Sequence, residues 1–221
     1  MAIELDTLEQ RIVGALIEKQ LTVPDSYPLT VNALVAACNQ KSNREPFMSV
    51  EDYEVEGALR ALMDKGWVTR QEPFGGRAMR YAHEARNQLG VELEDLAILS
   101  ELLCRGPQAP GALKTRASRM RHFDSPAAVE DRLRALADRP VPYVRQMAKQ
   151  PRERQARWEH LLRPAGEGSA DDAPPTEAPS TPAPAEAPAA SPGPDRLAAL
   201  EAEVAELRAR IERLEDGTQT D

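Results

Sequence analysis

Val55-Glu56-Gly57-Ala58-Leu59-Arg60-Ala61-Leu62-Met63-Asp64-Lys65 returns 74 residues later as Val129-Glu130-Asp131-Arg132-Leu133-Arg134-Ala135-Leu136-Ala137-Asp138-Arg139. Seven of the eleven positions are identical, and Lys65/Arg139 is a like-charge exchange. Downstream, Arg77-Ala78-Met79-Arg80-Tyr81-Ala82-His83 is matched by Arg154-Gln155-Ala156-Arg157-Trp158-Glu159-His160, where two arginines, an aromatic position and the histidine recur. Two matches in the same order at nearly the same offset identify a tandem duplication.

Each unit reads alike. In the first, Thr7-Leu8-Glu9-Gln10 has capping-box chemistry, and Leu8, Ile12, Ala15, Leu16 and Lys19 follow at helical spacing. A second helix is expected from about Leu29 to Cys38. A third is opened by Ser49 with Asp52 and closed by Gly66 after Lys65. Trp67–Glu72 and Arg77–His83 then read as strands around Phe74-Gly75-Gly76. The second unit repeats this with helices near Leu93–Arg105, Pro110–Met120 and Pro126–Arg139, the last capped by Ser125 with Pro126 at its first position. Its strands fall at Pro142–Ala148 and Gln155–Leu162, around the turn Lys149–Glu153. Three helices followed by a hairpin is the order of a winged helix. The fold class is therefore mainly α with small β-hairpin wings (α+β). The domains expected are winged-helix modules at 1–86 and 87–163, a disordered Pro/Ala-rich linker at 164–194, a short coiled-coil helix at 195–216 and a tail at 217–221.

The linker holds nine Pro and nine Ala in 31 positions, a composition that cannot bury enough apolar surface to offset its chain entropy. Beyond it, Leu197, Leu200, Val204, Leu207, Ile211 and Leu214 alternate spacings of three and four, with Leu197, Val204 and Ile211 at a positions. Branched residues at a with Leu at d favour a parallel homodimer. The opposite-sign flanks Arg196/Glu201, Glu203/Arg208 and Arg210/Glu215 agree.

Tyr27-Pro28-Leu29-Thr30-Val31-Asn32-Ala33-Leu34-Val35-Ala36-Ala37-Cys38-Asn39-Gln40-Lys41-Ser42-Asn43-Arg44-Glu45-Pro46 resembles the signature of the YceH-like family of uncharacterised bacterial proteins. Arg105-Gly106-Pro107-Gln108, Pro110-Gly111 and the stretch 154–162 resemble it too, so the likeness spans about residues 4–163. The resemblance implies a tandem winged-helix protein of the bacterial cytoplasm and implies little about activity.

The formal net charge of −8 conceals three blocks. Residues 1–99 hold 10 basic and 16 acidic side chains, 100–163 hold 14 and 7, and 164–221 hold 4 and 13. The acidic excess thus belongs to the tail, and whole-chain charge does not argue against a nucleic-acid partner. The loop Asn39–Pro46 offers Lys41 and Arg44 to phosphate or to a polar protein groove; the alternative is that it simply turns the chain between helices. The third helix begins with Glu51, Asp52, Glu54 and Glu56, which disfavours groove readout by the first module. The second module is basic: Lys114, Arg116, Arg119 and Arg121 on or after its second helix, and Arg145, Lys149, Arg152, Arg154 and Arg157 about its wing. Arg77 and Arg80 on the first wing extend that surface.

No catalytic signature, cofactor motif or metal-ligand spacing is present. Cys38 and Cys104 read as buried small hydrophobes of a reducing compartment. Met1–Thr7 lacks a basic start and an apolar core, and no apolar run is long enough to span a membrane. The expectation is a non-enzymatic, cytoplasmic protein that uses no cofactor, no metal and no membrane. It would bind nucleic acid and regulate, or serve as a protein-interaction adaptor.

Overall fold

A computed structural model of the chain describes residues 4–72, 78–151 and 153–164. The linker, the heptads and the hairpin residues Arg77 and Arg152 lie outside the described residues. The first repeat is α1 (Thr7–Thr22), α2 (Val31–Cys38), α3 (Asp52–Asp64), β1 (Val68–Gln71) and β2 (Arg80–His83). A short α4 (Ala85–Leu89), not expected from sequence, leads to the second: α5 (Leu93–Arg105), α6 (Pro110–Ala117), α7 (Pro126–Ala137), β3 (Val144–Gln146) and β4 (Trp158–His160). The architecture is mainly helical with two small sheets, each an antiparallel pair.

The duplication is carried into three dimensions. Val55, Leu59 and Leu62 are the buried residues of α3, and Val129, Leu133 and Leu136 are those of α7, each at the offset of 74. In the first sheet Val68 pairs with His83; in the second Val144 pairs with His160. An isolated bridge adds a third strand position to each sheet, Leu29 to Tyr81 and Gln108 to Trp158.

That bridge explains one difference from sequence. Leu29 exchanges both backbone hydrogen bonds with Tyr81, at 3.1 and 2.8 Å, so it is extended and α2 begins two residues later. Thr30 caps α2 by accepting from Ala33. The caps of α1 and α3 also shift. Asp6, not Thr7, accepts from the amides of Leu8 and Glu9, and Glu9 returns a bond to the Asp6 amide at 2.8 Å. Glu51, not Ser49, precedes α3, with its amide held by Glu54 at 2.8 Å. A carboxylate at a helix start also meets the positive end of the dipole. Ser125 caps α7 as expected.

The core runs through both repeats. In α1, Ile12, Val13, Ala15, Leu16 and Ile17 are all fully buried, as are Leu96, Ala97, Ile98, Leu99 and Leu102 in α5. Helices apolar on so much of their circumference must be central. Burying each Leu or Ile stabilises the fold by roughly 1.5–3 kcal/mol. Gly14 permits the close approach of α1 to α5: a Cβ there would lie 2.8 Å from Cys104 Sγ and 3.0 Å from Leu103 Cβ. Ser100 Oγ donates across the same seam to the Gly14 carbonyl at 2.9 Å. Cys38 and Cys104 are free, buried thiols, as their apolar surroundings suggested. The second repeat also closes α4, where Tyr143 Oη and Arg139 Nη2 donate to the Leu89 carbonyl at 3.0 and 3.1 Å.

Candidate partner-binding surface

The amphipathic third helix determines what the first repeat presents. With Val55, Leu59 and Leu62 inward, the opposite face must carry Tyr53, Glu56, Gly57 and Arg60, all exposed, and Asp52 is exposed at the helix start. Tyr53 is 67% exposed, and Phe47, six residues before it, is 61% exposed. Arg60 lies 3.9 Å from Glu56, so the one cation of this face belongs to an ion pair within it. Beside α3 runs a groove of about 320 Å3 lined by Thr30, Val31, Asn32, Glu56, Met79 and Tyr81. Met79 is itself 39% exposed. The result is an acidic helix face with one aromatic ring, next to a small semi-apolar groove.

The basic second repeat presents far less positive surface than its composition suggests. Arg116 donates to Gln108 Oε1. Arg119 Nη2 lies 3.1 Å from Glu18 and 2.9 Å from Glu101. Arg121 meets Glu94 at 3.0 Å, Arg132 meets Asp95 at 3.1 Å, Arg157 meets Glu153 at 2.9 Å, and Arg145 pairs with Glu159. Among the described residues, Lys41, Lys149 and Arg154 are exposed with no ion pair, and Lys114 is half-buried without one. Arg80 is exposed, and its Nη1 donates to the Pro28 carbonyl at 2.7 Å. Arg77, Arg152 and the heptad positions Leu197, Leu200, Val204, Leu207, Ile211 and Leu214 lie outside the described residues.

Arg44 and Arg119 are brought together on Glu18, Arg44 from the interior and Arg119 reaching in from the surface. Arg44 has a fully buried side chain; its Nη1 donates to Glu18 Oε2 at 2.7 Å and its Nε to the Ala37 carbonyl at 2.9 Å. Glu18 thus bridges Arg44 of the first repeat and Arg119 of the second. Burial alone would raise the Glu18 carboxyl, but the Arg44 hydrogen bond and the charges of Arg44 and Arg119 outweigh it and hold its pKa below the ordinary value. The rest of the Asn39–Pro46 loop ties the halves as well. Asn39 exchanges two 2.8 Å bonds with the Val50 backbone, the Glu45 amide donates to the Cys104 carbonyl at 2.8 Å, and Arg105 donates to Asn43 Oδ1. The turn role of Asn39 is therefore observed, and Lys41 is the exposed cation of this loop.

Sequence reasoning missed Arg11, Glu18, Glu101 and Arg105 as interior charges. The signal available was position: Arg11 and Glu18 share a helix face, seven residues apart, with small Gly14 and Ala15 between them. Among the described residues, no group of three His, Cys, Asp or Glu could hold a metal, and no helix is long and apolar enough to cross a membrane.

A family model described as a protein of unknown function, DUF480, matches residues 5–153. A UPF0502 protein of Geobacter metallireducens is 50% identical over 173 residues, 77% of this chain and 78% of the relative. One of Aeromonas hydrophila is 40% identical over 218 residues, 97% of this chain and 96% of the relative. The UPF0502 protein YceH of Salmonella paratyphi B is 39% identical over 220 residues, covering 97% of both.

Proposed function

The chain belongs to the DUF480 family, with YceH among its relatives, and from that premise we propose that its two repeats are winged-helix modules forming a non-enzymatic cytoplasmic adaptor for a protein partner. The observation that carries this reading is the exposed face of α3, the helix that would read a DNA groove. It presents Asp52, Tyr53 and Glu56, and a phosphate backbone would be repelled by it. A basic protein segment with an apolar anchor fits instead: cations against Asp52 and Glu56, the anchor against Tyr53 and Met79. The heptads would make the adaptor a parallel homodimer, so that weak single contacts gain from avidity.

A photo-crosslinking residue at position 53 in the native host tests this. Capture of one protein species, lost when Glu56→Lys is added, supports the reading; capture of nucleic acid, or capture insensitive to Glu56→Lys, overturns it. A second reading has its own observation. Lys149 and Arg154 lie in the connection between β3 and β4, exposed and without ion pairs among the described residues. They would hold a nucleic-acid backbone without base readout. Lys149→Glu with Arg154→Glu then abolishes a gel shift that falls steeply between 50 and 200 mM salt. No shift near 50 mM salt removes that reading. Equal sedimentation of the full chain and a 1–163 truncation would remove the heptads as the dimerisation element.

A further inference from the structure

The packing of α1 against α5 and the Asn39–Pro46 loop leaves a cleft of about 500 Å3 between the repeats. It is distinct from the α3 face and its groove. Met48, Leu102 and Pro107 contribute apolar wall, while Arg11, Arg105, Arg163 and His160 contribute nitrogen donors. Against three arginines, the described residues of the lining include a single carboxylate, the exposed Glu45.

Three buried polar atoms of this lining make no hydrogen bond among the described residues: Arg11 Nε, His160 Nδ1 and Arg105 Nε, the last within ion-pair distance of Glu101. Arg11 is 1% exposed and His160 5%. Arg11 Nη1 and Nη2 donate to the carbonyls of Cys38 and Pro46 at 3.1 and 2.7 Å, but no carboxylate faces it within ion-pair distance among the described residues. Arg105 uses Nη2 on Asn43 and sets Nε 3.0 Å from Glu101, and Arg163 has one ion pair, Nη2 to Glu159 at 2.7 Å. Each of these guanidiniums keeps donors that nothing described engages.

The comparison within the molecule is informative. His83 occupies the same hairpin position in the first repeat and is satisfied on both nitrogens, with Nε2 2.8 Å from Gln20 Oε1 and Nδ1 accepting from the Ala85 amide at 3.2 Å. The hairpin therefore does not force an orphan histidine. The orphan occurs where the histidine lines the cleft. The orphan atoms themselves have almost no accessible surface, so they mark the polarity of the wall behind the cleft, and the nitrogen His160 can turn to a ligand is Nε2. Burial keeps the His160 ring neutral, its pKa pushed down to about 4, so one of its nitrogens carries a hydrogen and the other a lone pair.

We propose that this inter-repeat cleft binds a small organic anion, its phosphate or carboxylate oxygens held by Arg105, Arg163 and His160 and its carbon skeleton laid on Met48, Leu102 and Pro107. Arg11, deeper in the lining, adds positive potential without needing to touch the ligand. Two guanidiniums with fork geometry suit an oxyanion better than a single lysine would. An occupied cleft would also clasp the two repeats together, since α1, the loop and α5 all contribute to it.

Full-length protein tests this by calorimetric titration and thermal melting with inorganic phosphate and, separately, citrate, each against sodium chloride at equal ionic strength. Saturable binding to either, with a melting rise that chloride does not give, supports the proposal. Phosphate alone would identify a phosphorylated ligand; citrate alone would identify a polycarboxylate. Arg163→Gln should weaken the binding at least tenfold. No saturable binding of either anion, or binding unchanged in Arg163→Gln, overturns it. Should that variant fail to fold, the imidazole signals of His160 in wild-type protein decide. They must shift along the titration with those of His83 unmoved, and an unmoved His160 overturns the site.

Discussion

Replacing Arg44 by methionine distinguishes an interior clasp from a recognition residue. The guanidinium is fully buried and engages Glu18, the Ala37 carbonyl and the Asn43 carbonyl within 2.9 Å. Methionine fills a similar volume but leaves Glu18 with Arg119, which is 35% exposed, and with Lys19 at 3.8 Å. Breaking a buried ion pair from one side costs about 3–5 kcal/mol; the surviving Arg119 contact places Arg44→Met near the lower end, about 3 kcal/mol. At ~2–4 °C per kcal/mol for a chain of this size, Tm should fall by about 9 °C. Glu18→Gln should cost more, because it strands the cation with no solvent access. The double change of both residues to methionine should cost less than the sum of the singles. Urea unfolding followed by circular dichroism at pH 7 measures all three, with Arg60→Met as a surface control expected within about 0.5 kcal/mol. An Arg44→Met loss below about 1 kcal/mol, the range of exposed pairs, refutes the reasoning. Such a result combined with lost partner binding would return Arg44 to the recognition surface.

Gly14→Ala should destabilise by about 2 kcal/mol despite its helix propensity, because Cys104 and Leu103 crowd the added methyl. Gly57→Ala, with nothing within 4 Å, should instead stabilise by about 0.5–1 kcal/mol, and equal melting of the two variants would sink the account of the α1–α5 seam. Burial raises the Cys38 thiol to about 12 and the Cys104 thiol to about 11, so a thiol reagent at pH 8 should label neither until the protein is unfolded. Burial also lowers His83 and His160 from 6.5 to about 4, so the unfolded chain takes up protons first as pH falls. Their stabilisation is complete above pH 6.5 and is lost as pH drops toward 4, on the order of 3 kcal/mol for each. Glu18, whose pKa is depressed in the folded state, adds a further loss below pH 4.5. Urea midpoints that stay flat from pH 7 to pH 5 would refute the histidine part.

Periodicity and repetition are local properties, and the elements they govern were legible. The eleven-residue match placed α3 and α7 with the same three buried positions, and the second match placed His83 and His160 opposite Val68 and Val144. Helix starts were legible only to within a residue or two. Asp6 and Thr7 both have capping chemistry, and the choice depends on where the backbone turns. The Leu29 bridge to Tyr81 joins residues 52 apart and has no local signature.

The sequence by itself determined the two-unit plan, the aliphatic inward faces, the buried cysteines and the acidic exposed side of α3, because each follows from spacing along a single element. Only the tertiary structure decided where the positive charge goes. Arg44, Arg119, Arg121 and Arg132 find carboxylates 18 to 37 residues away in the chain, turning an apparent basic surface into ties within and between the repeats. Charge is counted along the sequence, but Coulomb energy depends on distance and on solvent. Both are set when α1 packs on α5, and that same packing opens the arginine-lined cleft between the repeats.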